Sequence, residues 1–169
     1  MKAVIVLAMH GGLPNDFPKQ ELAEYFNLHS RLAHAVGAEN TAVRRRFDEL
    51  ETRIRHWPRT PKNDPYFFGS QELAVALRRA SGRKVILGFN EFCAPSLDEA
   101  LDQAAEQKAE KIIVATPMMT RGGEHAEIDI PAAIRRAEES HPGAKYIYAW
   151  PLPVREIAEF LSAQLGKFV

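Results

Sequence analysis

Two histidines, His10 and His125, each follow a short apolar run and each sit beside a pair of glycines. The first run, Ala3 to Ala8, leads to Met9-His10-Gly11-Gly12. The second, Ile112 to Ala115, leads through Thr116 to Arg121-Gly122-Gly123-Glu124-His125. A third run, Val85 to Phe89, is followed by Asn90-Glu91. Two imidazoles and a carboxylate suit borderline first-row divalent ions, and three protein ligands leave a position for water or a substrate nitrogen. A single histidine at a strand end is more often a hydrogen-bonded structural residue; the pairing of His10 with His125, and Glu91 beside them, favours the metal reading. Glu124, Glu127 and Asp129 crowd the second histidine, and Asp129 is assigned to complementing a helix N-terminus. The glycine pairs permit close approach of backbone to a ligand, which makes Gly11, Gly12, Arg121, Gly122 and Gly123 candidate ligand-binding positions.

These residues converge only if the runs that carry them are parallel strands of one sheet, because the following loops then open on a common edge. Four candidate strands are present: Ala3 to Ala8, Val85 to Phe89, Ile112 to Ala115 and Tyr146 to Ala149. Each is a continuous apolar run of the kind buried on both faces. Helical spacing separates them. Leu22, Tyr25, Phe26, Leu28, Leu32 and Val36 recur at three- and four-residue intervals, with Gly37 as a stop. Ser96 and Glu99 have the form of a capping box ahead of Leu97, Ala100, Leu101 and Ala104. Pro131 fits the first turn of a helix that His141-Pro142-Gly143 ends, and Val154, Ile157, Ala158, Leu161 and Leu165 mark the last helix. Strand and helix alternating at this rhythm imply an α/β fold with a parallel sheet and right-handed crossovers.

At 169 residues the chain fits a single domain over 1–169 that folds on hydrophobic burial. Lys plus Arg and Asp plus Glu both number 22, so no bulk attraction toward nucleic acid or an anionic membrane is expected. No run reaches the roughly 20 apolar residues needed to span a bilayer. The single Cys93 forms no internal bridge, and the first apolar run is broken too soon by His10-Gly11-Gly12 for a signal peptide, which together point to the cytoplasm.

The segment 39–69 breaks the strand–helix rhythm. It holds Arg44, Arg45, Arg46, Arg53, Arg55, Arg59 and Lys62 against Asp48, Glu49 and Glu51. Phe47, Leu50 and Ile54 predict a helix from Thr41 to Trp57 with one apolar stripe, followed by a loop through Pro58, Pro61 and Pro65. Charge runs usually face water, so a solvated basic helix is the default, with an anion clamp as the functional alternative. His10-Gly11-Gly12 also resembles an esterase oxyanion-hole sequence, but the chain lacks a Gly-x-Ser-x-Gly elbow, which argues against a serine hydrolase. His29, His34, His56 and His141 lack a comparable setting, and His29 reads as a packed or interface residue.

Residues Gly88 to Arg136, with Pro95-Ser96-Leu97, Arg121-Gly122-Gly123-Glu124-His125 and Asp129-Ile130-Pro131, resemble the small sirohydrochlorin cobaltochelatases of the class II chelatase superfamily. The run ending in His10-Gly11 is similar to that family's opening strand and histidine. The small chelatases have a shorter connection at 39–69; that segment, with Asn63-Asp64-Pro65 and the helix from Gln71 to Ala80, more nearly resembles the first half of a protoporphyrin ferrochelatase. Gly12 stands where the family commonly has Ser, and Glu127-Ile128 replaces a basic-then-acidic pair.

The resemblance implies a flavodoxin-like chelatase fold with a four-stranded parallel sheet flanked by helices. It implies insertion of a divalent metal into sirohydrochlorin or a related macrocycle, with His10 and His125 as the metal-handling pair and Glu91 as acidic helper. The metal is then a substrate, cobalt first and iron or nickel as alternatives, and no organic cofactor is implied. An anionic tetrapyrrole would be anchored by Arg121 and by some of Arg44, Arg45, Arg46 and Arg53 through bidentate pairing. Large class II chelatases contain two such halves, so a homodimer is expected, with the helix bearing Tyr25, Phe26 and His29 as one contact. The alternative is a chelatase-like protein that binds metal or tetrapyrrole without catalysing insertion.

Overall fold

The computed structural model describes residues 3–34 and 41–169. Val36, Gly37, Glu39 and the side chain of His34 lie outside the described residues. The elements in chain order are β1 (Ala3–Met9), α1 (Lys19–His34), α2 (Thr41–Arg55), α3 (Pro65–Ser81), β2 (Lys84–Phe89), α4 (Leu97–Glu106), β3 (Lys111–Ala115), a π-helical turn (His125–Asp129), α5 (Ile130–Ser140), β4 (Lys145–Tyr148) and α6 (Val154–Leu165). The strands form one parallel sheet in the order β2-β1-β3-β4, with Ile5 opposite Val85 on one side and Ile113 on the other. The expected strands and the α/β fold are therefore present, each strand within one residue of its expected bounds.

Alternation along β1 distributes its side chains to two cores. Val4, Val6 and Ala8 join Ile112 and Val114 beneath Leu97, Ala100, Leu101 and Ala104 of α4 and Ile130, Ala133, Ile134 and Ala137 of α5. Leu7 and Met9 join Phe89 and Cys93 on the opposite face, where Phe67, Ala74 and Leu77 of α3 pack. Gly88 lies under α4: an added Cβ would meet Ala100 Cβ at 2.7 Å, which is why the strand passes so near this helix. The expected capping box is formed, with Ser96 Oγ accepting from Glu99 N and Glu99 Oε2 accepting from Ser96 N. Arg136 of α5 donates two parallel bonds of 2.9 Å to Asp98 of α4, fixing the two helices against each other.

The predicted stripe of α2 is buried: Phe47, Leu50 and Ile54 pack with Phe17, Tyr25 and Leu28 in a third cluster shared with α1. The loop after α2 ends earlier than expected. Pro65 is the first residue of α3, and the Asp64 carboxylate caps it by accepting from Phe67 N at 2.9 Å, so this helix begins six residues before Gln71. The apolar residues of α6 form a helix as predicted, but none of them is buried; Val154 is 80% and Leu165 67% exposed.

Connections set the functional edge. The chain leaves β1 toward β2 and leaves β3 toward β4, so the neighbouring strands β1 and β3 send their following loops in opposite directions. A crevice opens at such a reversal, outside the carboxyl ends of the strands.

Candidate functional site

His10 follows β1, Glu91 follows β2, and His125 opens the turn that precedes α5, so three strands deliver one side chain each to the crevice. His10 Nδ1 lies 3.1 Å and His125 Nε2 3.6 Å from the same oxygen, Glu91 Oε1. The two imidazoles meet edge to face with centroids 4.5 Å apart. One ligand atom from each of the three residues lies within 4.8 Å of the others.

The partners of each ring indicate where its proton resides. His10 Nδ1 is 2.8 Å from the Gly11 carbonyl, which can only accept, so that contact requires a proton on Nδ1 and leaves the Nε2 lone pair free. His125 Nδ1 is 2.6 Å from Asp129 Oδ2, which likewise places the proton on Nδ1 and turns the Nε2 lone pair toward Glu91. A carboxylate behind an imidazole in this way orients the ring and raises its basicity as a ligand.

Local geometry explains why these residues can meet. Asn90 N donates to Met9 O and Glu91 N to His10 O, each at 2.9 Å, which zips the first two loops together beyond the strands. Gly11, at φ +117°, is indispensable there, because a Cβ would fall 1.8 Å from the Glu91 carbonyl oxygen. His125 lies in a π-helical turn whose hydrogen bond runs from Ile130 N back to His125 O. Such widened turns are frequent at functional sites, and here Tyr148 Oη braces it by donating to Ala126 O at 2.9 Å. Tyr66 Oη accepts from His10 N at 3.2 Å, and burial raises the pKa of this phenol. Burial also pushes the Cys93 thiol up, which keeps it a neutral core residue and not a nucleophile.

Residues 69–166, more than half of the chain, match the family model CbiX. The chain belongs to the CbiX family. The matched span begins at Gly69, inside α3, and includes Glu91 and His125, whereas His10 and the segment from α2 to Asp64 lie outside it. A sirohydrochlorin cobaltochelatase from Priestia megaterium is 35% identical over 80 residues, which are 47% of this chain and 26% of that protein. This CbiX-family chain thus spans about a quarter of that curated relative. Two solved structures align with the chain at lower similarity. The sirohydrochlorin chelatase SirB from Bacillus subtilis subspecies spizizenii, solved with cobalt, has a TM-score of 0.44 at 20% identity, covering 89% of this chain and 44% of that one. A putative cobalamin (vitamin B12) biosynthesis CbiX protein from Marinobacter aquaeolei VT8 has a TM-score of 0.49 at 19% identity, covering 98% of both.

The CbiX-family chain brings His10, Glu91 and His125 together as the strand reading required, and places Gly11 and Gly12 at the same edge. Gly12 packs on the Asp64 side chain, 3.0 Å from where its Cβ would be. Gly122 and Gly123 have open space around them, Gly122 N donates to Glu127 at 3.0 Å, and Arg121 is exposed. Three expectations are corrected. Asp129 does not act as a free helix-end charge but holds His125, because the π-helical turn stacks the two side chains one above the other. Arg46 and Arg53 do not project as free anchors: Arg46 forms a two-point pair with Glu24 at 2.8 and 2.7 Å, and Arg53 bonds Glu21, so both tie α2 to α1. Counting Glu39 and Asp64 as well, the segment 39–69 carries a net charge of only +2. Tyr25 is not a free contact surface but is buried against Phe47, whereas its neighbour Phe26 is exposed.

Asp129, Tyr66, Arg55 and Arg59 are the residues near the site that the sequence reading did not assign to it. For Asp129 a signal existed: its spacing of four from His125 puts both on one face of a helix. Tyr66 carries no such mark, since its hydroxyl reaches His10 across 56 residues of chain.

Proposed function

We propose that this protein inserts a divalent metal ion into sirohydrochlorin or a related anionic tetrapyrrole. The observation that carries the reading is the convergence of His10, Glu91 and His125 on one open edge, with lone pairs of both imidazoles available and a single carboxylate oxygen between them. Membership of the CbiX family and the sirohydrochlorin cobaltochelatase from Priestia megaterium support it. Cobalt is the first candidate metal, with iron and nickel next, since nitrogen and carboxylate ligands accept all three.

Insertion exchanges two pyrrole N–H protons for one metal ion. The metal first sits on His10 and His125, partly stripped of water, with a coordination position left for a pyrrole nitrogen. Glu91 is a carboxylate within 3.6 Å of both rings and can take a departing proton as the metal moves to the macrocycle. The imidazoles released from the metal regain lone pairs able to take the other. Gly11, Gly12, Arg121, Gly122 and Gly123 line the loops that would face the macrocycle, with Arg121 as a carboxylate anchor. Among the described residues no helix is long and apolar enough to cross a membrane. A cytoplasmic setting is supported by the single free, buried thiol. Pairing of two copies would add a second wall to the open edge, and light scattering tests that part.

The test is an anaerobic insertion assay with sirohydrochlorin and with protoporphyrin, each against cobalt(II), iron(II) and nickel(II). Metal-dependent spectral conversion of sirohydrochlorin above the uncatalysed rate is the expected result. Tight binding of metal or macrocycle with no acceleration would instead identify a carrier.

A further inference from the structure

Arg55, at the end of α2, and Arg59, in the loop after it, direct their guanidiniums at backbone carbonyls next to the triad. Arg55 Nη1 donates to the Cys93 carbonyl at 2.9 Å and Nη2 reaches the Asn90 carbonyl at 3.3 Å. Glu51 Oε1 accepts from its Nε and Nη2 at 3.2 and 3.0 Å, which fixes the plane of the guanidinium. Arg59 is only 7% exposed and is charge-balanced by the buried Asp64. Its Nη1 donates to the Gly12 carbonyl at 2.7 Å, and its Nη2 donates to the carbonyls of Ile54, at 2.8 Å, and Phe92. Two guanidiniums from one segment therefore hold the carbonyl after His10-Gly11 and three carbonyls around Glu91.

The loop so held is one that would not hold itself. Phe92 sits at φ +57°, a left-handed conformation disfavoured for a bulky side chain, immediately after Glu91. Neither Asn90, Phe92 nor Cys93 lies in a strand or helix, so their carbonyls have no ladder to satisfy them, and the arginine forks supply the donors. The planar fork of arginine can bridge two carbonyls at fixed separation; a lysine ammonium brings a similar charge without that geometry.

We propose that Arg55 and Arg59 are positioning residues for the metal triad: Arg55 fixes the Glu91 loop to α2 and Arg59 ties that loop to the His10 loop, so that Glu91 Oε1 stands between the two imidazoles. The inference rests on the reading of this triad as a metal site. It gives the segment between α1 and α3 the task of building that site, in place of capturing the macrocycle.

The experiment is equilibrium cobalt(II) binding without tetrapyrrole, by anaerobic calorimetry and by the visible d–d spectrum of the bound ion. It compares the wild-type chain with Arg55→Met, Arg55→Lys, Arg59→Lys and His10→Ala, with thermal melts on each. Arg55→Met keeps the stem and the neighbouring fold while removing the fork. It is expected to weaken cobalt(II) binding by about tenfold and to alter the d–d band, with a melting temperature close to wild type. Arg55→Lys should fail to restore either, since the fork and not the charge is required. Wild-type affinity and spectrum in Arg55→Met would overturn the proposal, as would full rescue by Arg55→Lys, and Arg55 decides the matter even if Arg59→Lys does not fold. Absence of cobalt(II) binding by the wild-type chain would overturn the metal-site reading itself. Binding that is lost in His10→Ala but kept in Arg55→Met would overturn only the positioning role.

Discussion

Asp129 Oδ2 lies 2.6 Å from His125 Nδ1, so the carboxylate fixes the tautomer and the plane of the imidazole that faces Glu91. The bond spans one turn of the widened helix, which means that the ring is oriented by its own element and not by a distant loop. Asp129→Asn keeps the shape and removes the charge. Losing such a partner behind a ligand typically costs about 10- to 100-fold in metal affinity. Calorimetric titration with cobalt(II) on the folded variant should show a drop in that range.

His10 and His125 share one carboxylate oxygen, so their removal should not be additive. His10→Ala and His125→Ala are each expected to reduce insertion strongly, and the double variant to add little beyond the worse single one. Glu91→Gln should have a smaller effect on metal binding than either, and a larger effect on the rate of insertion than on affinity. Protons compete with metal for imidazole lone pairs, so cobalt(II) affinity should fall as the solution is acidified. Anaerobic insertion kinetics with near wild-type rates in both histidine variants would remove the mechanism.

Arg46 is paired with Glu24 across the α1–α2 contact, and this bond holds the Glu24 carboxyl below the usual carboxylate range. Both side chains are substantially exposed, so Arg46→Gln should lower stability only slightly. The apparent KM for the macrocycle should not move. A KM increase with unchanged stability would return Arg46 to the role of substrate anchor.

Tyr25 is buried between α1 and α2, and burial first, then the charges of Glu51 and Glu91, pushes its phenol up to about 12. The group is neutral in the fold at a pH where the unfolded chain has already ionised it. Its contribution is therefore complete below about pH 10 and is lost as pH rises from there toward about 12. Chemical denaturation across that window should show falling stability, and Tyr25→Phe should flatten the fall.

The strand positions, the capping box at Ser96, the buried stripe of α2 and the placing of His10 and Glu91 just after strands and of His125 in the connection after β3 were all legible in the sequence. Each is a local property: a short apolar run, a residue pair three apart, or a periodicity that matches one element. The start of α3 at Asp64-Pro65 was equally local and could have been read from a capping residue followed by proline. What only the tertiary structure decided is how charges pair across distance. Arg46 meets Glu24, Arg59 meets the Phe92 carbonyl, and Tyr66 meets His10, although nothing in their spacing marks these contacts. The same limit explains α6, whose apolar spacing promised an inward face although none of its residues is buried. Periodicity tells a helix which of its sides is apolar; only the packing of the whole chain determines what that side meets.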